Sequence, residues 1–212
     1  MNPHTRICED LDECAFYQPC DFECINYDGG FQCNCPLGYE LAEEGCRDVN
    51  ECESVRCEDG KACFNQLGGY ECIDDPCPAN YSLVDDRYCE PECENCTSTP
   101  IQVHMLAIPS GLPISHIATL TAYDKSGRVL NDTTYAISDT GAPLARGRMT
   151  SGPFTIKAVK RGHAQVWTNR VLAAGDHHKV RVRAHSDHAT NELHAPKETN
   201  FLVLINVGQY PF

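Results

Sequence analysis

The chain has 212 residues, 15 cysteines and a formal net charge of −13. All the cysteines lie between Cys8 and Cys96, and the charge divides at the same place: residues 1–96 hold 5 Lys+Arg against 23 Asp+Glu, a net −18, and residues 97–212 hold 12 against 7, a net +5. Such acidity argues against nucleic-acid binding, and the longest apolar run, FLVLINV at 201–207, is too short for a membrane-spanning helix.

Cysteine at this density, in segments of about 40 residues, means cross-links in place of a core too small to hold the fold, which points to an oxidising, extracellular compartment. No apolar signal segment follows Met1, so the sequence reads as a fragment of a secreted precursor. Residues 1–9 carry Cys8 two positions before Asp10, just as Cys46 stands two before Asp48. They read as the tail of a truncated unit whose last cysteine is left unpaired.

Two units follow, at 10–47 and 48–96. The first opens DLDEC at 10–14 and holds Cys14, Cys20, Cys24, Cys33, Cys35 and Cys46. The second opens DVNEC at 48–52 and holds Cys52, Cys57, Cys63, Cys72, Cys77 and Cys89. Six cysteines allow fifteen pairings, and spacing alone does not choose among them. Cys93 and Cys96 remain as a Cys-x-x-Cys, expected in this compartment to be a local structural disulfide and not a redox or zinc site. Each unit also carries a Cys-x-Asn stretch, CINYDGGFQC at 24–33 and CFNQLGGYEC at 63–72, with paired glycines suited to a hairpin turn that needs positive φ.

Acids crowded against a half-cystine repel one another unless a cation joins them. Calcium takes six to eight oxygens at about 2.3–2.6 Å from carboxylates, amides and backbone carbonyls. Asp10, Glu13 and Asn26 offer side-chain oxygens in the first unit, and Asp48, Glu51 and Asn65 in the second. With CPLGYELAEEGC at 35–46, these motifs resemble calcium-binding EGF-like domains. The resemblance implies the pairings Cys14–Cys24, Cys20–Cys33 and Cys35–Cys46, then Cys52–Cys63, Cys57–Cys72 and Cys77–Cys89. It implies two Ca2+ sites whose shells are completed by the carbonyls of Leu11, Tyr27 and Gly30, and of Val49, Gln66 and Gly69. It further implies that Tyr39 packs against the turn at Leu67 and Gly68, and that Asn26 fits a β-hydroxylation pattern. Only Arg47 separates Cys46 from Asp48, so an ion in the second site is expected to turn a hinge into a rod. The second unit departs from the family with IDDP between Cys72 and Cys77, where one residue is usual, so its lower hairpin is expected to be altered.

From residue 97 onward, period-two alternation recurs with turn signals between the runs, as in half-buried strands. The predicted strands are 101–108, 115–123, 133–137, 154–160, 164–172, 179–185 and 200–207. Seven short strands without a helical stripe predict an all-β module of antiparallel, sandwich-like build at 97–212, behind small disulfide-rich β units. Trp167 is assigned to its core. A β module of this length after such units resembles the C-terminal module of fibulins, and CIDDPCPANY (72–81), LTAYDKSG (120–127), KVRVRAHS (179–186) and the ending FLVLINVGQYPF resemble hemicentins most.

Asn80, Asn95 and Asn131 open Asn-x-Ser/Thr sequons, Asn95 being the poorest acceptor with cysteine in the middle position. The late histidines, His177, His178, His185, His188 and His194, are assigned to solvated loops ahead of a zinc site. Alternation aims Lys179, Arg181 and Arg183 at one face, an expected docking face for heparan sulfate. The resemblance implies a secreted extracellular-matrix glycoprotein: a calcium-rigidified spacer whose C-terminal module serves matrix assembly, basement-membrane attachment or cell adhesion. Its partners would be matrix or basement-membrane proteins or further copies of itself. The alternative is an EGF-like ligand acting on a cell-surface receptor. No G-x-S-x-G, H-E-x-x-H or nucleophile with a base is present, so no enzyme is expected.

Overall fold

A computed structural model describes residues 10–93, 99–123, 127–130, 133–138, 150–160, 162–186 and 198–211. Cys8 and the truncated tail, Asn95, Cys96, Asn131, His188 and His194 lie outside the described residues.

The first unit opens with the short helix α1 (Glu13–Tyr17), capped by Asp12, whose Oδ1 accepts the Ala15 N–H at 3.0 Å. Two hairpins follow, β1 (Glu23–Tyr27) with β2 (Gly30–Asn34), then β3 (Tyr39–Ala42) with β4 (Gly45–Asp48). The second unit repeats the plan with a 3-10 turn at Glu51–Glu53, β5 (Lys61–Gln66) with β6 (Gly69–Asp74), and β7 (Tyr81–Val84) with β8 (Tyr88–Pro91). All six pairings implied by the resemblance are present as disulfides. Cys93 is disulfide-bonded as well.

The C-terminal module comprises β9 (Ile101–Ser110), β10 (His116–Thr121), β11 (Thr133–Ser138), β12 (Thr150–Ser151), β13 (Phe154–Ala158), β14 (His163–Thr168), β15 (His177–Ser186) and β16 (Glu198–Pro211). Every predicted run is a strand, and among the described residues of the module only the two-residue β12 went unforeseen. A four-stranded sheet in the order β10-β14-β13-β12 faces a six-stranded one in the order β11-β15-β16-β9-β8-β7. Between them lies a core built on Leu120, Phe154, Val166, Val182, Phe201, Val203 and Ile205.

The structure corrects the sequence reading at four points. His177, His178 and His185 stand on strand β15 and not in solvated loops. The module is not wholly antiparallel: β16 enters between β15 and β9 and runs parallel to β9. Alternation reports which face a side chain takes and says nothing of strand direction. Trp167 is not core, because Ala164, Val166 and Thr168 take the inward positions of β14 and leave it half-buried on the outer face, with Lys157 Nζ 4.1 Å from its ring centroid. Nor is β16 half-buried, since all residues from Phe201 to Val207 are buried.

That last departure has a structural cause. The altered lower hairpin of the second unit has become part of the module's sheet, where β8 pairs with β9 through Tyr88↔Gln102 and Cys89↔Ile101. Val103 N also donates to Arg87 O at 2.6 Å. The second unit therefore lies over the outer face of β9 and β16 and closes a second core of Phe64, Cys89, Val103, Leu202 and Leu204, with Ile73, Tyr81 and Met105 against it. Burying Phe64 there is worth about 2 kcal/mol. Lys179 Nζ reaches across to donate to Pro76 O at 2.7 Å.

Candidate metal centres

The two repeats build the same small cradle. In the first, the Asn26 amide donates from Nδ2 to Asp10 Oδ2 at 2.8 Å and accepts the Glu13 N–H on Oδ1 at 3.2 Å. In the second, Asn65 donates to Asp48 Oδ2 at 2.8 Å and accepts the Glu51 N–H at 3.2 Å. The other oxygen of each aspartate accepts a turn amide, Asp10 Oδ1 from Gly29 N at 2.7 Å and Asp48 Oδ1 from Gly68 N at 2.6 Å. Gly29 and Gly68 have φ of +92° and +83°. This left-handed backbone, open to glycine without strain, is what turns the amide toward the acid.

The local fold explains why these residues meet. The Cys14–Cys24 and Cys52–Cys63 bonds tie each acidic entry segment to a hairpin strand two residues before its Asn. The sequence thus brings the Asp and Asn side chains and the Glu backbone amide together by placing all three near one cross-link. Tyr27 pairs with Gly30 and Gln66 with Gly69 at the ends of the hairpins, so their carbonyls flank the turns that hold Asp10 and Asp48. Leu11 and Val49 each follow the aspartate, and Val49 N donates to Gly38 O at 2.9 Å. The Gly29 N–H, with the Asn26 amide after it, holds the Asp10 carboxyl below the usual carboxylate range.

Glu13 Oε2 and Glu51 Oε2 are buried and have no hydrogen-bond partner among the described residues. A buried polar atom left unsatisfied costs about 1–3 kcal/mol, and more when charged. A cation removes that cost without adding a proton. Two carboxylates, an amide oxygen and nearby carbonyls make an all-oxygen donor set, which fits a hard divalent ion such as calcium. Among the described residues no cluster of three or more His, Cys, Asp or Glu is present, the donor set a zinc site would need.

Among the described residues, only the second cradle sits at a junction between units. Gly38, with φ of +85°, abuts Gly68 so closely that an added Cβ would lie 2.7 Å from Gly68 Cα, and Tyr39 Cε2 lies 3.2 Å from where a Gly68 Cβ would stand. On the other side, Leu67 covers Gly208 of β16, with its Cδ1 3.3 Å from the place of a Gly208 Cβ. Beside it, a crevice of about 500 Å³ opens between Asn50, Glu53 and Asn65 of the second unit and Gln102 and Met105 of β9. Sequence reasoning reaches Tyr39, Leu67 and Gly68 but passes over Gly38 and Gly208. For Gly38 the available signal was its place in the CPLGY turn, where the backbone is left-handed.

The family model of the calcium-binding EGF domain matches residues 10–46 and 48–96. The chain is 31% identical to mouse hemicentin-2 and 32% identical to human hemicentin-1, each over 97% of this chain and 4% of the relative. It is 32% identical to mouse fibulin-7 over 55% of this chain and 32% of that protein. It therefore spans a small part of the hemicentins it matches. No solved structure matches it. The chain is a hemicentin-like region, with calcium-binding EGF domains leading into a mostly β C-terminal module.

Proposed function

We propose that this region works outside the cell as a calcium-stiffened spacer of a matrix glycoprotein, ending in a module that serves matrix assembly, basement-membrane attachment or adhesion. Two Ca2+ ions would be held by Asp10, Glu13 and Asn26 with the carbonyls of Leu11, Tyr27 and Gly30, and by Asp48, Glu51 and Asn65 with those of Val49, Gln66 and Gly69. When bound, each ion supplies charge neutralisation and cross-linking of the entry segment to its hairpin. The observation that carries this reading is the pair of buried, partnerless glutamate oxygens at equivalent places in the two cradles.

The chain's own residues supply the stiffness. Gly38 and Gly68 meet backbone to backbone, Val49 N is bonded to Gly38 O, and Asp48 grips the turn that Tyr39 covers. Holding Asp48 in place therefore holds the joint. Titration calorimetry on the oxidised chain should give two calcium-binding events, and scattering should show a longer maximum dimension with calcium than with chelator. Absence of calcium heat at millimolar levels would sink the reading. An isolated EGF-like ligand for a receptor is less favoured, because the second unit is built into the sheet of the module through β8 and β9.

A partner reading rests on β15. Lys179, Arg181 and Arg183 share its outer face, but the Lys179 ammonium is engaged by Pro76 O. Burial lowers its pKa, with Arg181 acting in the same direction. Arg181 and Arg183 instead line a cleft of about 270 Å³ with Tyr81, Ser138 and Asn200. Their guanidinium forks suit the sulfate and carboxylate groups of heparan sulfate. Retention on heparin should fall for Arg181→Glu and Arg183→Glu and hold for Lys179→Ala; equal loss from all three would indicate a diffuse field and no cleft.

A further inference from the structure

We propose that the C-terminal module positions the second calcium site and sets its affinity, while the first site is independent of it; the proposal rests on the calcium reading above. The two cradles have the same hydrogen bonds, so each is the other's control. Besides the joint with Gly38 and Tyr39, what differs is the strand that carries the asparagine. Ile25, next to Asn26, is 45% exposed, whereas its counterpart Phe64, next to Asn65, is 4% exposed because Val103, Leu202 and Leu204 cover it.

The turn of the second hairpin is held in the same way. Leu67 sits over Gly208, and the next residue, Gly68, gives its N–H to Asp48 Oδ1. Asn65 and Gly68, the two residues that orient Asp48, thus flank side chains seated on β9 and β16. Groups outside a metal's own shell that orient its ligands typically change affinity by about 10–100-fold when lost. Gly208 is the position where this support can be disturbed without touching the cradle. Its φ lies outside the left-handed region, so a side chain there is limited by Leu67 and not by backbone strain.

The test is calorimetry on the full oxidised chain, with Asp10→Asn and Asp48→Asn used to assign the two binding events. Gly208→Val, which drives Leu67 outward, should weaken the second site by roughly tenfold and leave the first unchanged. Adding Leu67→Ala to Gly208→Val should recover most of the loss, because the smaller side chain frees the space the valine needs. Gly208→Ala, a milder push, should fall between, and covers the case in which valine prevents folding. Coupling is reciprocal, so calcium should also slow amide exchange at residues 204–208 in the native chain and in Asp10→Asn, and fail to do so in Asp48→Asn. Equal weakening of both sites, no change at the second, or further loss on adding Leu67→Ala would overturn the proposal. A chain without calcium heat would sink the calcium reading itself, a separate outcome.

Discussion

Gly38 and Gly68 stand against each other with no side chain between them, and Gly38 holds a left-handed φ of +85°. Both facts act on one substitution. Gly38→Ala places its methyl inside the Gly68 backbone and adds left-handed strain of about 1–2 kcal/mol. The six disulfides on either side are untouched, so each unit should stay folded while the joint opens. Scattering should show the chelated and calcium-loaded forms of this variant with similar, broader distance distributions. A variant that stiffens with calcium as the native chain does would mean the glycine contact is not the joint.

Tyr135 is buried in the sandwich, where its hydroxyl donates to Gly162 O and accepts the Ala122 N–H at 3.1 Å. Ala122 N also reaches Gly162 O directly, at 3.1 Å, so Tyr135→Phe orphans neither group. Its cost should therefore be about 1 kcal/mol and not the two- to three-fold larger penalty of a stranded pair. Burial pushes the Tyr135 pKa up to about 12. Because the folded value is the higher one, stability from this group is complete below about pH 10 and is lost as pH rises toward 12. An ultraviolet titration of the native chain should show one late tyrosine that Tyr135→Phe removes.

The cradles were legible because disulfides make them local. Once Asp-x-Asx-Glu-Cys and Cys-x-Asn recur in register, a cross-link between them leaves the side chains few other places to go. The seven strands were legible for the same short-range reason, alternation. The docking of the second unit was not, because it depends on contacts between segments far apart in the chain. It still left two marks. The IDDP insertion supplies Ile73 to the second core and the Pro76 carbonyl to Lys179, and the unbroken run FLVLINV reads as a strand covered on both faces. Trp167 was misplaced by its size, although the alternation of β14 already pointed it outward.

The tryptophan makes its own prediction. It is the chain's only one, and Lys157 lies over its ring across the β13–β14 pair, with His116 at 5.8 Å on the neighbouring strand. A partly exposed cation over an indole is worth about 0.5–1 kcal/mol. Lys157→Ala should lower stability by that amount and change the fluorescence of the folded state. Lys157→Arg should keep both close to native. If alanine alters neither, the contact carries no energy.

His104 gives the chain a pH dependence of defined sign. Its ring lies on the sandwich side of β9 beside Phe201, at 6.0 Å, and its buried Nε2 has no hydrogen-bond partner among the described residues. Burial lowers its pKa. His178, against the edge of Phe154 at 5.1 Å, is lowered by burial too, despite Asp176 Oδ2 at 3.8 Å. For both, the unfolded chain takes up a proton more readily than the folded one. Their contribution to stability is therefore full above about pH 6.5 and is lost as pH falls toward the lowered folded values. Urea midpoints measured in chelator, so that calcium release does not enter, should drop between pH 7.5 and 5.5. His104→Leu should make the fall shallower, and adding His178→Leu shallower again. An unchanged slope in the double variant would mean that neither histidine carries the acid sensitivity.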